Sequence, residues 1–358
     1  MTNPGSAAKR TDGGQTTDIG GQQVVMSYAD IGKEYQALRT DAIVVDRSHR
    51  GRTRFFGEKA ADALTGLVTN DVAALHRGHG QYGAALTAKG KIVADLRIFA
   101  GDGWYLVDSA PRASAAWFAM VRKYVNPRVS GYRDDSHPVR DIGVFGPRAR
   151  SIVASLASVD EGMLADLPAY GHVPATIGSA QVTVARAPDI GVEGYDLFVP
   201  FEIFDDVWAA AVAAGASPAG LGAWEIARVE AGRPEWGIDI DDNTIPQEAN
   251  FDELGAISYT KGCYIGQEVV ARVHFRGHVN RHLRGLRSAS PEAPPTGAQL
   301  FDDAGTHVGE VRSTVSSPRL GGIALGMVRR EVAPGAGVTA RWEHGEQRVD
   351  VSALPFPI

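Results

Sequence analysis

The chain holds one cysteine, Cys263, among 358 residues. That excludes an intramolecular disulfide framework and a zinc site built from cysteines alone, and it fits a reducing compartment. A lone cysteine also cannot hold an iron–sulfur cluster, which takes about four protein thiolates. No run approaches the ~18 consecutive apolar residues of a membrane helix. The opening MTNPGSAAKRTDGGQTTDIGG has no apolar signal core, and residues 1–22 read as a polar, disordered tail. Basic residues are not in excess. With 36 against 42 acidic and a net charge of −6, a general nucleic-acid binder is disfavoured. No short-period repeat is present, which argues against a solenoid. A soluble cytoplasmic protein of two or three domains is expected.

Strand-like and helix-like pieces mix along the chain. Ala42–Asp46, Thr53–Gly57, Lys91–Phe99 and Gly103–Asp108 read as strands. Glu58–Asp71 has helical apolar spacing, as do Phe201–Ala214 and Leu221–Ala231. Ala113–Val125 reads as a helix ending before Asn126-Pro127. The texture changes at SPEAPPTG, Ser290–Gly297, where three prolines and a glycine fall within eight positions. Beyond it, turn residues recur about every ten positions between short strands. The expected division is a tail at 1–22, two α+β lobes at 23–284 and a small β-barrel at 285–358.

The cysteine lies in KGCYIGQE, Lys261–Glu268. The thiolate is the reactive form of cysteine, and a free thiol has a pKa of ~8.5. Lys261 would favour it, and so would amide donors if IGQEVVARV starts a helix. That segment also alternates like a strand, through Val269, Ala271, Val273 and Phe275. Gly262 and Gly266 permit a sharp turn or a close approach to a ligand. Upstream, Gln247, Glu248 and Asn250 are side chains of the kind that read a polar heterocycle. Spacing alone leaves Cys263 open between a reactive thiol and a small buried apolar residue. His274, His278 and His282 lie four apart, a metal-like spacing on a continuous helix. Gly277 interrupts that helix and Arg276, Arg281 and Arg284 repel a cation, so a basic rim is expected instead. The glycines of His76–Leu86 match no phosphate loop.

KGCYIGQE resembles the signature of the YgfZ family, folate-binding relatives of the glycine-cleavage T-protein. The pieces YQALRTDAIVVDRS, LTGLVTNDV, ALTAKGKIVADLRI, GVEGYDLFVP, ARVEAGRPEWGID and IPQEANFD carry the same resemblance across most of the chain. It implies an α+β fold: a three-lobed body around a central channel, with a C-terminal antiparallel β-barrel. It implies tetrahydrofolate or a derivative in the channel, and no stably bound metal. It also implies a part in assembling or repairing iron–sulfur enzymes, including ones that modify tRNA. The expected partners are a reduced folate and iron–sulfur client or assembly proteins, with no direct nucleic acid and a monomeric state. Cys263 is the implied functional thiol, near the channel mouth, with Lys261 activating it. The implied folate contacts are Tyr82, Asp95, Glu193, Tyr195, Arg228, Trp236, Gln247 and Glu248, with Gly262, Tyr264, Gly266, Gln267 and Glu268 of the signature.

The chain departs from the T-protein pattern at two places. T-proteins carry adjacent aspartates in a stretch resembling GGVIDDL, and here GKIVADL puts Ala94 in the first place and Asp95 in the second. Neighbours on a strand face opposite sides, so Asp95 is expected to aim away from the site and substitute poorly. T-proteins also place a glutamate in a TGExGYE-like turn. Here GVEGYD puts Val192 in its place, with Glu193 one residue later. Losing a carboxylate at the reacting end costs orders of magnitude in rate, whereas one pterin hydrogen bond is worth ~1–3 kcal/mol. Folate binding without aminomethyl transfer is therefore the expectation. A folate-dependent one-carbon transferase and a non-catalytic interaction module remain as alternatives.

Overall fold

In the computed structural model, residues 14–357 are described, so residues 1–13 of the expected tail lie outside them. Residues 14–22 do not behave as a tail. Gln15–Ile19 pairs antiparallel with Gln22–Ser27, and the second strand packs on the helix Leu221–Glu230. Polar composition hid this hairpin, because its stability comes from the ladder and a distant helix.

Two sheets form the body. The first has five strands in the order Gly80–Leu86, Ile92–Ala100, Trp104–Ser109, Gly51–Phe56, Gly131–Asp134. The second has six, in the order His172–Ile177, Ala180–Arg186, Gly194–Pro200, Val139–Phe145, Ile43–Asp46, Ser217–Pro218. Each buries an apolar outer face under helices. Ala94, Leu96 and Ile98 of the first sheet pack with Leu64, Trp117 and Val121 from the helices Ala60–Thr65 and Ser114–Tyr124. Val144, Leu197 and Val199 of the second pack with Ile152, Val153, Phe204 and Val207 from Ala149–Ala157 and Phe204–Ala213. Each such large apolar side chain contributes about 1.5–3 kcal/mol when fully buried. A third cluster joins the helices Ile31–Thr40 and Leu221–Glu230 around Tyr35, Leu38 and Trp224.

The third unit is a closed six-strand antiparallel barrel beginning at Arg281–Ser288. That strand precedes Ser290–Gly297, so the change of texture marks a loop inside the barrel rather than its start. The helix Leu221–Glu230 ties the barrel to the body. Arg228 Nη2 donates to Ser313 Oγ at 2.7 Å, and buried Glu230 accepts from Tyr35 Oη at 2.7 Å and from Ser317 Oγ. Among the described residues, no helix is long and apolar enough to cross a membrane.

Candidate functional site: a charged cavity between the sheets

The inner faces of the two sheets meet, packing Phe99, Leu106 and Phe198 together in one part and charged side chains in another. On Ile92–Ala100 alternation sends Ala94, Leu96 and Ile98 to the helices and leaves Asp95 and Arg97 on the opposite face. Arg97 is 2 % exposed, yet four aspartates surround it. Its guanidinium donates to Asp108 at 2.9 Å, to Asp189 at 3.3 Å, to Asp141 at 3.5 Å and to Asp196. Arg47 Nη1 donates to both oxygens of Asp196 at 2.8 and 3.0 Å, and Arg50 Nε meets Asp108 at 2.6 Å. Buried charges persist when they are paired in this way.

The pairing divides the acids. Burial would raise Asp108, but Arg50 and Arg97 hold it well below the carboxylate range. Burial likewise opposes the ionisation of Asp189, and Arg97 and Arg233 bring it down to about 2. Asp141 is pushed up to about 7, first by burial and then by the nearby Asp196.

Beside this network lies a cavity of about 200 Å³, walled by Arg47, His49, Arg50, Trp224, Glu235 and the hairpin residues Thr17–Ile19. A recess of about 20 Å³ adjoins it, sharing Arg47, Arg50, Trp224 and Glu235 and adding Tyr82, Asp95, Asp189 and Arg233. Arg47 sits over the Trp224 ring, 4.9 Å from its centre. Several buried polar atoms on these walls have no partner: His49 Nδ1, Trp224 Nε1 and Asp95 Oδ1. Burial, then Arg50, drives His49 well below its usual pKa, which leaves the imidazole neutral. Asp95 accepts from Tyr82 Oη at 3.0 Å, and its pKa is raised by burial against the pull of Arg50. Glu235 is raised to about 7 by burial, with Arg50 opposing and Asp95 adding to the rise.

Of the residues expected to contact folate, Tyr82, Asp95 and Arg228 line this space. Asp95 corrects the expectation for it: the aspartate faces the cavity and Ala94 faces the helices. The strand carries an irregularity between the pairs Ala85↔Ala94 and Leu86↔Ile92, leaving Val93 as an extra residue just before them. Bulges of this kind re-aim side chains beside functional sites. Glu193 and Tyr195 lie on the far side of their sheet. Tyr195 is buried in the helix-facing core and donates to Glu193 at 2.9 Å, which in turn pairs with Arg150. Val192 packs partly against the core around Trp224. The cavity-facing acid from that region is Asp189, which accepts from Tyr170 Oη at 2.9 Å. Trp236 is half-buried against two apolar clusters and lines neither space.

The remaining expected contacts are structural or peripheral. Gln247 donates to Val270 O at 2.9 Å, and Glu248 pairs with Arg281 at 3.0 Å while accepting from Ile245 N. The signature packs against the turn Thr87–Gly90 and the end of the helix Ala60–Thr65, and none of its residues lines the cavity or its recess. Its ambiguous half is a helix, Gln267–Arg276. Gly266 caps it at φ +84°, where an added Cβ would lie 2.5 Å from Thr87 O, so glycine is required. Gln267 Oε1 accepts from Tyr264 N at 3.0 Å, and Glu268 is exposed in the first helical turn. Lys261 turns inward and caps carbonyls of Thr65 and Val68, with its ammonium 4.3 Å from the Tyr264 ring centre. Burial lowers its pKa to about 8. Gly262 and Cys263 are exposed. Gly277 ends the helix, so His274, His278 and His282 fall on a helix, a connector and a strand.

With this geometry in view, the relatives fall into place. Residues 7–257 match the GCVT N-terminal domain, and residues 281–357 match the glycine cleavage T-protein C-terminal barrel domain. The chain belongs to the glycine cleavage T-protein family. It is 32 % identical to an aminomethyltransferase of Thermosynechococcus vestitus over 325 residues, covering 90 % of this chain and 86 % of that one. An aminomethyltransferase of Saccharopolyspora erythraea is 30 % identical over 355 residues, covering 96 % and 94 %. The crystal structure of glycine cleavage system aminomethyltransferase T from Bartonella henselae superposes with a TM-score of 0.88 at 21 % identity, covering 100 % of this chain and 98 % of that one. The family implies a folate, and the cavity residues fit its heterocyclic end. They offer an aromatic wall, open donors and acceptors on buried side chains, and one carboxylate without a partner. At about 200 Å³ the cavity is smaller than the ~300–1,000 Å³ usual for a whole drug-sized ligand. It suits two fused rings, with the rest of the molecule outside.

Proposed function

We propose that this protein binds a reduced folate, heterocycle inward, in the cavity between its sheets, and that it serves iron–sulfur enzymes through its exposed Cys263 segment. The observation that carries the reading is the separation of the two parts. Arg47, Arg50 and Trp224 of the cavity are buried, whereas Cys263 is exposed on a loop whose own lysine points inward. A thiol so presented meets a macromolecule, not the folate. His49, Trp224, Asp95 and Glu235 would hold the heterocycle, which supplies the one-carbon chemistry of its reduced ring. The clients are iron–sulfur proteins, and the protein acts as a monomer. The test is complementation of cells lacking the protein, read as activity of several iron–sulfur enzymes. Cys263→Ala is expected to fail although it still binds tetrahydrofolate. Full rescue by Cys263→Ala would overturn the thiol's role.

One observation favours a second reading. Asp95 faces the recess with an open Oδ1 and a raised pKa, so an acid–base group borders the space proposed for the folate. On that reading the protein transfers a one-carbon unit between an amine and tetrahydrofolate. Methylene-tetrahydrofolate formed from an aminomethyl donor, and lost in Asp95→Asn, would establish it. No turnover by the folate-loaded wild type would dismiss it.

A further inference from the structure

Glu235 is held from both sides by its backbone. Its N–H donates to Asp239 Oδ2 at 2.9 Å, and its carbonyl accepts from Asp239 N at 2.9 Å. Pro234 precedes it and restricts the turn. Its carboxylate faces both the cavity and the recess, and among the described residues it makes no hydrogen bond or ion pair. The cations around it are engaged elsewhere. Arg50 bonds Asp108 through Nε, Arg233 is on Tyr170 and Asp189, and Arg228 is on Glu225 and Asp239, so none of them bonds Glu235, though the charge of Arg50 lies close. Glu235 is half-buried, and a carboxylate withdrawn even partly from water without a donor is costly. Of the four wall residues shared by both spaces, Arg47, Arg50, Trp224 and Glu235, it is the only carboxylate.

We propose that Glu235 reads the donor edge of the bound heterocycle, accepting two parallel N–H bonds from an amino group and an adjacent ring N–H. This deepens the folate reading and rests on it. The ligand class follows from the walls. Trp224 offers an aromatic face, and a carboxylate pairs best with a planar fork of two donors. A 2-amino-4-oxopteridine presents such a fork. The assignment also gives the site a carboxylate for that edge although Val192 stands where the T-protein pattern has one.

The experiment is calorimetric titration of the full chain with 5-formyltetrahydrofolate and with its analogue lacking the 2-amino group. Wild type and Glu235→Gln are compared. The substitution is isosteric and removes a half-buried charge that has no partner, so folding is not at risk. Hydrogen bonds to a charged group are worth about 1.5–3 kcal/mol, a factor of roughly 10–150. Wild type should prefer the amino ligand by that factor, and Glu235→Gln should bind it correspondingly weaker and lose the preference. A second readout is the buffer dependence of the heat near pH 6.5. Binding to the ionised carboxylate should release protons from wild type and fewer from Glu235→Gln, with Arg50, Asp95, Glu225 and Arg228 as the other charged groups facing it. Equal affinity and equal preference in the two proteins would overturn the assignment while leaving folate binding intact. No binding of either ligand by wild type would overturn the folate reading and the assignment together.

Discussion

At the junction of the sheets, Arg47, Arg50, Arg97 and Arg233 each meet an aspartate, and the side chains are almost fully buried. The Lys261–Glu268 segment is the reverse. Its thiol and three of its eight residues in all are exposed, and it is fixed by one inward lysine, one glycine cap and backbone contacts. The first region can recognise only what enters a shaped and charged space. The second can be touched by another protein without any rearrangement of the first. On the proposed reading, the difference teaches that binding and presentation are separate tasks, carried by separate parts of the chain.

The sharpest way to break this contrast is Arg97→Met. Removing the hub leaves four aspartates facing one another, and losing one partner of a buried ion pair typically costs about 3–5 kcal/mol. Urea unfolding at pH 7 measures it, and a loss under about 1 kcal/mol would show that the network repacks or protonates cheaply. Next in size is Glu235→Gln, with the opposite sign. A carboxyl raised to about 7 in the fold holds a proton that the unfolded chain gives up near its ordinary value of 4.5. Stability therefore falls as pH rises from about 4.5 to 7, and the amide removes that fall. Glu235→Gln should be more stable than wild type by roughly 1–3 kcal/mol at pH 8, with little difference at pH 4. Parallel stability curves across that range would refute it.

On the exposed side the effects shrink. Lys261→Met strips two carbonyls near the end of Ala60–Thr65 of a donor, and about 1 kcal/mol should be lost in thermal unfolding. Cys263→Ser should change stability by less than about 0.5 kcal/mol, since it is an exposed position. In the native wild type, alkylation of Cys263 should proceed without unfolding, so its rate should not vary across low urea concentrations. A rate that rises steeply with urea would mean the thiol is shielded in solution.

Much of the scaffold was readable from spacing. The strands around Ile43, Arg54, Ile98 and Leu106 and the helices Ser114–Tyr124 and Leu221–Glu230 lie where apolar periodicity put them. Their outer faces obey simple two-fold and 3.6-fold rules. The inner faces left a weaker trace: charges at alternate positions of apolar strands, as in Asp95 and Arg97. That pattern marks a polar buried face, but its partners Asp108, Asp141 and Asp196 come from three other strands, and only tertiary pairing identifies them. The same limit hid His49, Asp189 and Glu235. The signature misled in the opposite direction. Its density of functional residue types drew five folate contacts to a segment that lines neither the cavity nor the recess.

The cavity wall that includes Thr17 and Ile238 has a bearing on how the protein is made. Its pieces come from both ends of a stretch that fills most of the chain. During synthesis no binding site exists until that stretch has left the ribosome and the amino-terminal hairpin has docked. A ligand present in the cell then acts as a late latch, and newly made chains short of it should lose their amino-terminal hairpin first to proteases.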